Sequence, residues 1–249
     1  MMVVLRGLLL PLGLLIVLEL YLRLTGLVTD SLSPPTNIVR ALGELILDGR
    51  LFHLIGQTLA SAFGGLAIAG LLGFVAGTAI GLFPTAGRIV FPTIEALRPI
   101  PSVATIPLVL LIVGFGYRLE IVIVAYAAFW PILILTESAT RLIERGMLEV
   151  ARLLGFGFWR ILFRIVLPAA LPRLVLAVRL ALGVALVVAV TVEIVINPQG
   201  IGYALMRSQE QLRPDLMYAM IFAVGFLGWG LNALMVRLER RLSPPAAHA

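Results

Sequence analysis

Six long apolar runs dominate this sequence and limit what it can fold into. A helix of about 20 predominantly apolar residues crosses the hydrocarbon layer of a bilayer. Backbone groups in lipid must be hydrogen-bonded within the structure, so we expect each run to be helical. The sequence therefore predicts an all-α, polytopic membrane protein in which residues 1–249 form a single transmembrane domain. The six predicted spans are 8–24, 54–83, 101–115, 119–137, 174–196 and 216–236.

Most of the charged residues cluster between these runs. Hydrophobic residues make up 61% of the chain and charged residues only 13%, which excludes an ordinary water-soluble domain. A net charge of +6 could indicate nucleic-acid binding, but the 19 basic residues are all arginines, and nearly all of them flank the spans. With a cytoplasmic amino terminus, twelve of them lie inside, six outside and Arg179 within the fifth span. The positive-inside rule thus predicts that both termini are cytoplasmic. Because the arginines are explained by topology, we expect membrane lipid and not nucleic acid as a partner.

The chain lacks the side chains that catalysis in a membrane would need. It contains two widely separated histidines, no cysteine and no H-E-x-x-H pattern. It also lacks the G-x-x-x-x-G-K-S/T loop that holds nucleotide phosphates. We therefore expect no catalytic residue, no metal site and no bound cofactor. Any ATP hydrolysis that drives this protein must come from a separate subunit.

A polar segment at 149–168 separates the fourth and fifth spans. Residues 147–154 have helix-forming composition, and Gly155 is suited to a left-handed helix cap. Residues 158–166 have apolar side chains at helical spacing, and Pro168 is expected to end this second helix. The segment predicts two short helices that meet at a glycine. One face of the second helix is expected to carry Phe158, Trp159, Leu162, Phe163 and Val166.

The spacing of six residues in this segment resembles a known pattern. It is E-A-A-x3-G-x9-I-x-L-P, the cytoplasmic coupling loop of binding-protein-dependent ABC importer permeases, with Val150 where the family usually has alanine. The alternative is an ordinary amphipathic loop on the membrane surface. If the resemblance holds, residues 141–173 form the coupling loop that docks on an ATPase subunit. The matching residues are Glu149, Ala151, Gly155, Ile165, Leu167 and Pro168.

Two further stretches resemble the nitrate, sulfonate, taurine and bicarbonate branch of this family. One is P-x-P-S-x-A-x-I-P-L at 99–108, where Pro107 is expected to bend the third span. The other is a glutamate, Glu193, at the end of the fifth span ahead of a G-x-G-Y turn. A gate or translocation path is one interpretation, and a surface carboxylate in an ordinary loop is the other. The candidate path residues are Pro107, Glu193, Gly200, Gly202 and Tyr203.

Three other features have structural interpretations. Gly73, Gly77 and Gly81 recur every four residues, which allows another helix to approach closely and identifies no function. Residues 34–49 predict an amphipathic helix at the outer interface, with start and stop signals at its two ends. Arg179 is expected to snorkel to the inner interface.

The resemblance implies a complete transport system. The chain would be the permease subunit of a type I ABC importer in a bacterial inner membrane, with about six transmembrane helices. Its partners would be a second copy of itself, an extracytoplasmic substrate-binding protein and two ATP-binding cassette subunits, which bind ATP and Mg. A small, anionic solute would cross by alternating access. The alternatives are a secondary transporter, which needs ionisable groups at mid-membrane, and a membrane scaffold without a pore.

Overall fold

The computed structural model describes residues 2–26 and 30–242, and every regular element among them is helical. The carboxyl terminus, for which a cytoplasmic location is predicted, lies outside the described residues. A 3₁₀ turn at Ser102–Thr105 precedes α5, and a π-helical turn at Leu162–Val166 follows α8. The α-helices are α1 (Met2–Thr25), α2 (Pro35–Leu47), α3 (Arg50–Leu82), α4 (Pro84–Leu97), α5 (Ile106–Val113), α6 (Tyr117–Arg141), α7 (Arg145–Leu153), α8 (Phe158–Ile161), α9 (Leu167–Val195), α10 (Gly200–Glu210) and α11 (Pro214–Leu242).

Four helical segments of the described chain are long and apolar enough to cross a membrane. They are Arg50–Leu82, Tyr117–Arg141, Phe158–Glu210 and Pro214–Arg241. The pair Pro84–Leu97 and Ser102–Val113 gives a fifth candidate if its two parts form one broken span. The all-α membrane fold is therefore confirmed. The total of six spans, which counts α1, stays a prediction.

The third predicted span, 101–115, corresponds to the second part of a bent helix pair. Pro84–Leu97 and Ser102–Val113 meet at an angle of 83°, and the break between them contains Pro99 and Pro101. Pro107 lies in the first turn of α5, where backbone N–H groups have no partner within the helix, so the missing N–H of proline costs no hydrogen bond. The expected bend at Pro107 was therefore wrong. The Tyr126 hydroxyl, from α6, donates a 3.0 Å hydrogen bond to the Leu97 carbonyl at the end of α4.

The described chain divides into two compact units, and the prediction of a single permease domain stays a prediction. The first unit comprises Met1–Gln57 and Glu193–Leu227. In it, the predicted start and stop of α2 are confirmed, and Gly49 follows the helix with a φ of +72°. The apolar face of α2 is buried in a core with α10 and α11. The start of α2 is tied to α1, because Glu19 accepts hydrogen bonds from the Thr36 amide and hydroxyl.

The second unit comprises Thr58–Val192 and Gly228–Ala249, and α3 packs closely on α6 within it. A Cβ added at Gly73 would lie 2.9 Å from Ile132 Cγ2. At Gly77 it would lie 2.6 Å from the Leu133 carbonyl oxygen, and at Gly81 it would lie 2.7 Å from Thr140 Cβ. These three glycines therefore lie along the contact between the two helices, where their lack of a side chain lets the backbones approach.

Arg179 is held by α11 within the same unit. Its Nη1 lies 2.9 Å from Glu239 Oε2, and its Nε donates a 3.1 Å hydrogen bond to Asn232 Oδ1. Two side chains of a neighbouring helix therefore satisfy the guanidinium group, and snorkelling of Arg179 to the inner interface stays a prediction. A cation within a span is costly unless it finds such partners.

Candidate functional site

The polar segment between α6 and α9 forms a helical elbow at Gly155. The φ of Gly155 is +75°, which confirms the predicted left-handed cap after α7. The Gly155 amide donates to the Arg152 carbonyl at 2.9 Å, and the Phe156 amide donates to the Ala151 carbonyl at 3.0 Å. These two bonds make a Schellman motif, which satisfies carbonyls that the helix end would otherwise leave unpaired. The chain therefore turns sharply from α7 into α8.

Ala151 faces the interior of this elbow. Its exposed fraction is 4%, and it packs with Ile161 and Val166, both buried. A small side chain fits this position because the elbow packs against itself here. A larger residue would push α7 away from the helix that follows it.

The second helix continues into the fifth span instead of ending at Pro168. The π-helical turn at Leu162–Val166 joins α8 to α9, and Pro168 lies in the first turn of α9. Hydrogen bonds in a π-helix span five residues, and those in an α-helix span four. The π-helical turn comes just before the first turn of α9, where the missing N–H of a proline costs no hydrogen bond. The expectation that Pro168 ends the helix was therefore wrong. Ile165 and Leu167 flank this junction and are half-buried.

The outer surface of the elbow carries exposed apolar and aromatic side chains among charged ones. Trp159 is 68% exposed and stacks on Phe163 with ring centroids 6.1 Å apart, while Phe158 meets Trp159 edge-on. Val166 is buried, so the five apolar side chains assigned to one face of the second helix divide between inside and outside. The π-helical turn changes the helical periodicity and explains this division. Glu149, on α7, is also exposed. We call the exposed residues Glu149, Val150, Leu153, Leu154, Phe158, Trp159 and Phe163 the elbow surface.

A second set of predicted residues meets where α9 ends and α10 begins. Glu193 is 1% exposed, which excludes the interpretation of a surface carboxylate. Its Oε2 accepts a 2.8 Å hydrogen bond from the Gly202 amide. Gly200 has a φ of +82°, and a Cβ on it would overlap the Glu193 carboxylate. A side chain from another helix therefore binds the amino-terminal turn of α10, whose amide groups have no partner within the helix.

Sequence reasoning missed a further member of this set. The Oε1 atom of Gln57, from α3, accepts a 3.0 Å hydrogen bond from the Gly200 amide. The only local signal was a polar residue near the start of an apolar span, which does not identify a contact 143 residues away. Tyr203 lies in the same turn of α10 and has the Arg207 guanidinium carbon 6.0 Å from its ring centroid. Pro107 belongs to the unit formed by residues 58–192 and 228–249, and its place in a translocation path stays a prediction.

Comparison with known proteins gives consistent results along most of the chain. Residues 69–245 match the family described as the binding-protein-dependent transport system inner membrane component. A putative aliphatic sulfonates transport permease of Bacillus subtilis is 33% identical over 239 residues, which cover 95% of this chain and 86% of that protein. A taurine transport system permease of Escherichia coli is 28% identical, over 86% of this chain and 79% of that protein.

The fold is also found in a solved structure. The inward-facing MetNI methionine ABC transporter contains a chain with a TM-score of 0.62 and 24% identity. The match covers 75% of this chain and 93% of that chain. A bicarbonate transport system permease of Synechococcus elongatus is 30% identical in sequence, over 78% of this chain and 70% of that protein.

These matches are with permease subunits, which are not catalytic, so the prediction that this chain is not an enzyme is confirmed. Together with the apolar helices, they indicate a multi-pass protein of the inner membrane. They also imply that the chain works with ATPase subunits and a substrate-binding protein. The chain belongs to the family of binding-protein-dependent transport system inner membrane components.

Proposed function

We propose that this chain is the membrane-spanning half of an ATP-driven importer and works as a homodimer with two ATP-binding cassette subunits. In this proposal an extracytoplasmic binding protein delivers the solute, and ATP binding on the cytoplasmic side shifts the dimer between inward-open and outward-open states. ATP and Mg are bound by the ATPase subunits and not by this chain.

The observation that carries the proposal is the elbow at Gly155. Two short helices turn at a positive φ between α6 and α9, and their exposed side chains include apolar and aromatic residues beside charged ones such as Glu149 and Arg160. Exposed apolar surface with a polar rim is typical of a protein interface. Residues 141–173 supply the predicted coupling loop, and the elbow surface within it is the part that we expect to dock on the ATPase.

The proposed solute is a small organic or inorganic anion. Three relatives support this class, since they are named as permeases for aliphatic sulfonates, taurine and bicarbonate. We place the outer gate at Glu193, Gly200, Gly202 and Tyr203. The support is geometric, because the Glu193 carboxylate joins the end of α9 to the start of α10, so a movement of either helix changes this contact.

Reconstitution tests this function. Proteoliposomes containing this chain, its ATPase and the binding protein should accumulate a labelled sulfonate only when ATP is present on the ATPase side. Uptake driven by an ion gradient without ATP would indicate a secondary transporter. ATPase binding without any solute flux would indicate a scaffold. The control complex carries an ATPase that cannot hydrolyse ATP.

A further inference from the structure

A cleft lined by arginines lies in the unit formed by residues 58–192 and 228–249. It is found where α3 ends and α4 begins, beside the end of α6 and one side of α7. Two recesses of about 430 Å³ and 220 Å³ make up this cleft. Both are lined by Gly81, Pro84, Arg88 and Arg141, so they adjoin each other. We call the two recesses together the arginine cleft.

The larger recess is positively charged. Arg88, Arg141 and Arg152 line it, and Glu149 is the carboxylate among its lining residues. Arg141 is engaged by Glu137, with 3.4 Å between Nη1 and Oε1. Within the part of the chain that the structure describes, neither Arg88 nor Arg152 forms an ion pair. Two guanidinium groups are therefore available to a phosphate, whose oxygens match their planar pairs of N–H donors.

The smaller recess has an apolar side. Ile80, Gly87 and Phe91 line it next to the shared arginines. Arg88 and Arg141 line both recesses, and Glu137, which pairs with Arg141, lines the smaller one. The cleft thus combines guanidinium groups with apolar side chains, and it lies at the ends of two segments that are long enough to span the membrane. A soluble phosphate would use only the larger recess. A phospholipid would use both, because it carries acyl chains next to its phosphate group.

We infer that the arginine cleft binds an anionic phospholipid, with the phosphate between Arg88 and Arg152 and an acyl chain against Phe91. Basic pockets at the ends of membrane helices are known to bind such headgroups. Arg152 belongs to α7, which also carries Glu149 of the elbow surface. A bound lipid would therefore tie the elbow to the bilayer. This inference does not depend on the proposed function, since lipid binding can be measured without transport.

The test uses the full chain in nanodiscs that contain phosphatidylglycerol and phosphatidylcholine, with retained lipid counted by native mass spectrometry. We expect selective retention of phosphatidylglycerol. Each of Arg88→Gln and Arg152→Gln should reduce this preference about fivefold, the effect of one arginine near an anionic surface. Arg118→Gln is the matched control, because it removes the same charge from the first turn of α6, whereas the cleft lies at the last turn. It should leave the preference unchanged.

Three results would overturn the inference. An equal loss in Arg118→Gln would show that the preference reflects overall charge and not the cleft. Binding of soluble glycerol phosphate with the same dependence on Arg88 and Arg152 would make the cleft a site for free phosphate. Release of the retained phosphatidylglycerol when the ATPase subunit is added would assign the arginines to the protein partner.

Discussion

The Glu193 carboxylate accepts a 2.8 Å hydrogen bond from the Gly202 amide and occupies the space that a side chain on Gly200 would need. Glu193 lies in the last turn of α9 and Gly202 in the first turn of α10, so this contact joins the end of one helix to the start of the next. Gln57 adds a second acceptor at the Gly200 amide. Together they replace the water that would solvate these amides in a soluble protein.

Gly200→Ala should strongly destabilise the chain. The added Cβ would overlap the Glu193 carboxylate, and the positive φ disfavours any side chain, so we expect a loss of about 2–4 kcal/mol. The measurement is thermal unfolding of the purified chain in detergent. Gly225→Ala is the matched control, because no atom lies within 4 Å of its added Cβ. Equal stability of the two variants would show that the Glu193 contact does not constrain α10.

Glu193→Gln tests the gate with the fold preserved. Glutamine keeps an oxygen that can accept from the Gly202 amide but removes the charge, which weakens that hydrogen bond. If this hydrogen bond stabilises one of the transport states, weakening it by about 1 kcal/mol should lower uptake roughly fivefold. Uptake and binding-protein-stimulated ATP hydrolysis are both measured. If both match the unsubstituted complex, the gate assignment is lost.

Gly77→Ala tests the contact between α3 and α6. The added Cβ would lie 2.6 Å from the Leu133 carbonyl oxygen, which is backbone and cannot rotate away, so we expect about 1–3 kcal/mol of destabilisation. Gly70→Ala in the same helix meets no atom within 4 Å and should be neutral or slightly stabilising. Unfolding of both variants in detergent gives the comparison. A Gly77→Ala chain as stable as Gly70→Ala would refute the close approach.

The sequence was sufficient to predict those parts of the fold that are determined by residues adjacent in the chain. The left-handed turn at Gly155 and the bounds of α2 depend on a few adjacent residues, and both were predicted. Pro168 and Pro107 were misread because a proline ends one helix or begins another equally well. Each proline lies in the first turn of a helix because of the chain that precedes it. A π-helical turn precedes Pro168, and a break that contains two further prolines precedes Pro107.

Contacts between distant residues could not be predicted in the same way. Arg179 and Glu239 are 60 residues apart, and Gln57 and Gly200 are 143 apart. Hydrophobic periodicity shows which runs are helices but not which helices are neighbours. The burial of Glu193 followed only from the packed structure, and this burial excluded one of the two interpretations that the sequence had left open.

The orientation in the membrane gives a prediction that is independent of the gate. The arginine asymmetry predicts that α7 lies on the cytoplasmic side. A cysteine introduced at position 145 is unique, because the chain has no cysteine of its own. In intact cells it should react with an impermeant maleimide only after permeabilisation. A cysteine at position 118 should react without permeabilisation, and labelling of position 145 from outside would reverse the proposed topology.

The most direct test of the central claim is recovery of the ATPase subunit with the Gly155→Val permease. No atom lies within 4 Å of a Cβ at Gly155, so the substitution acts through the backbone, where a β-branched residue at a φ of +75° costs about 1–3 kcal/mol. Gly157→Val is the control, because Gly157 has a φ of −70° and equally open space. We predict that Gly155→Val inserts and dimerises normally but recovers less ATPase or uncouples hydrolysis from uptake, while Gly157→Val affects both less. Normal ATPase recovery together with normal transport in Gly155→Val would contradict the assignment of the elbow as the coupling segment.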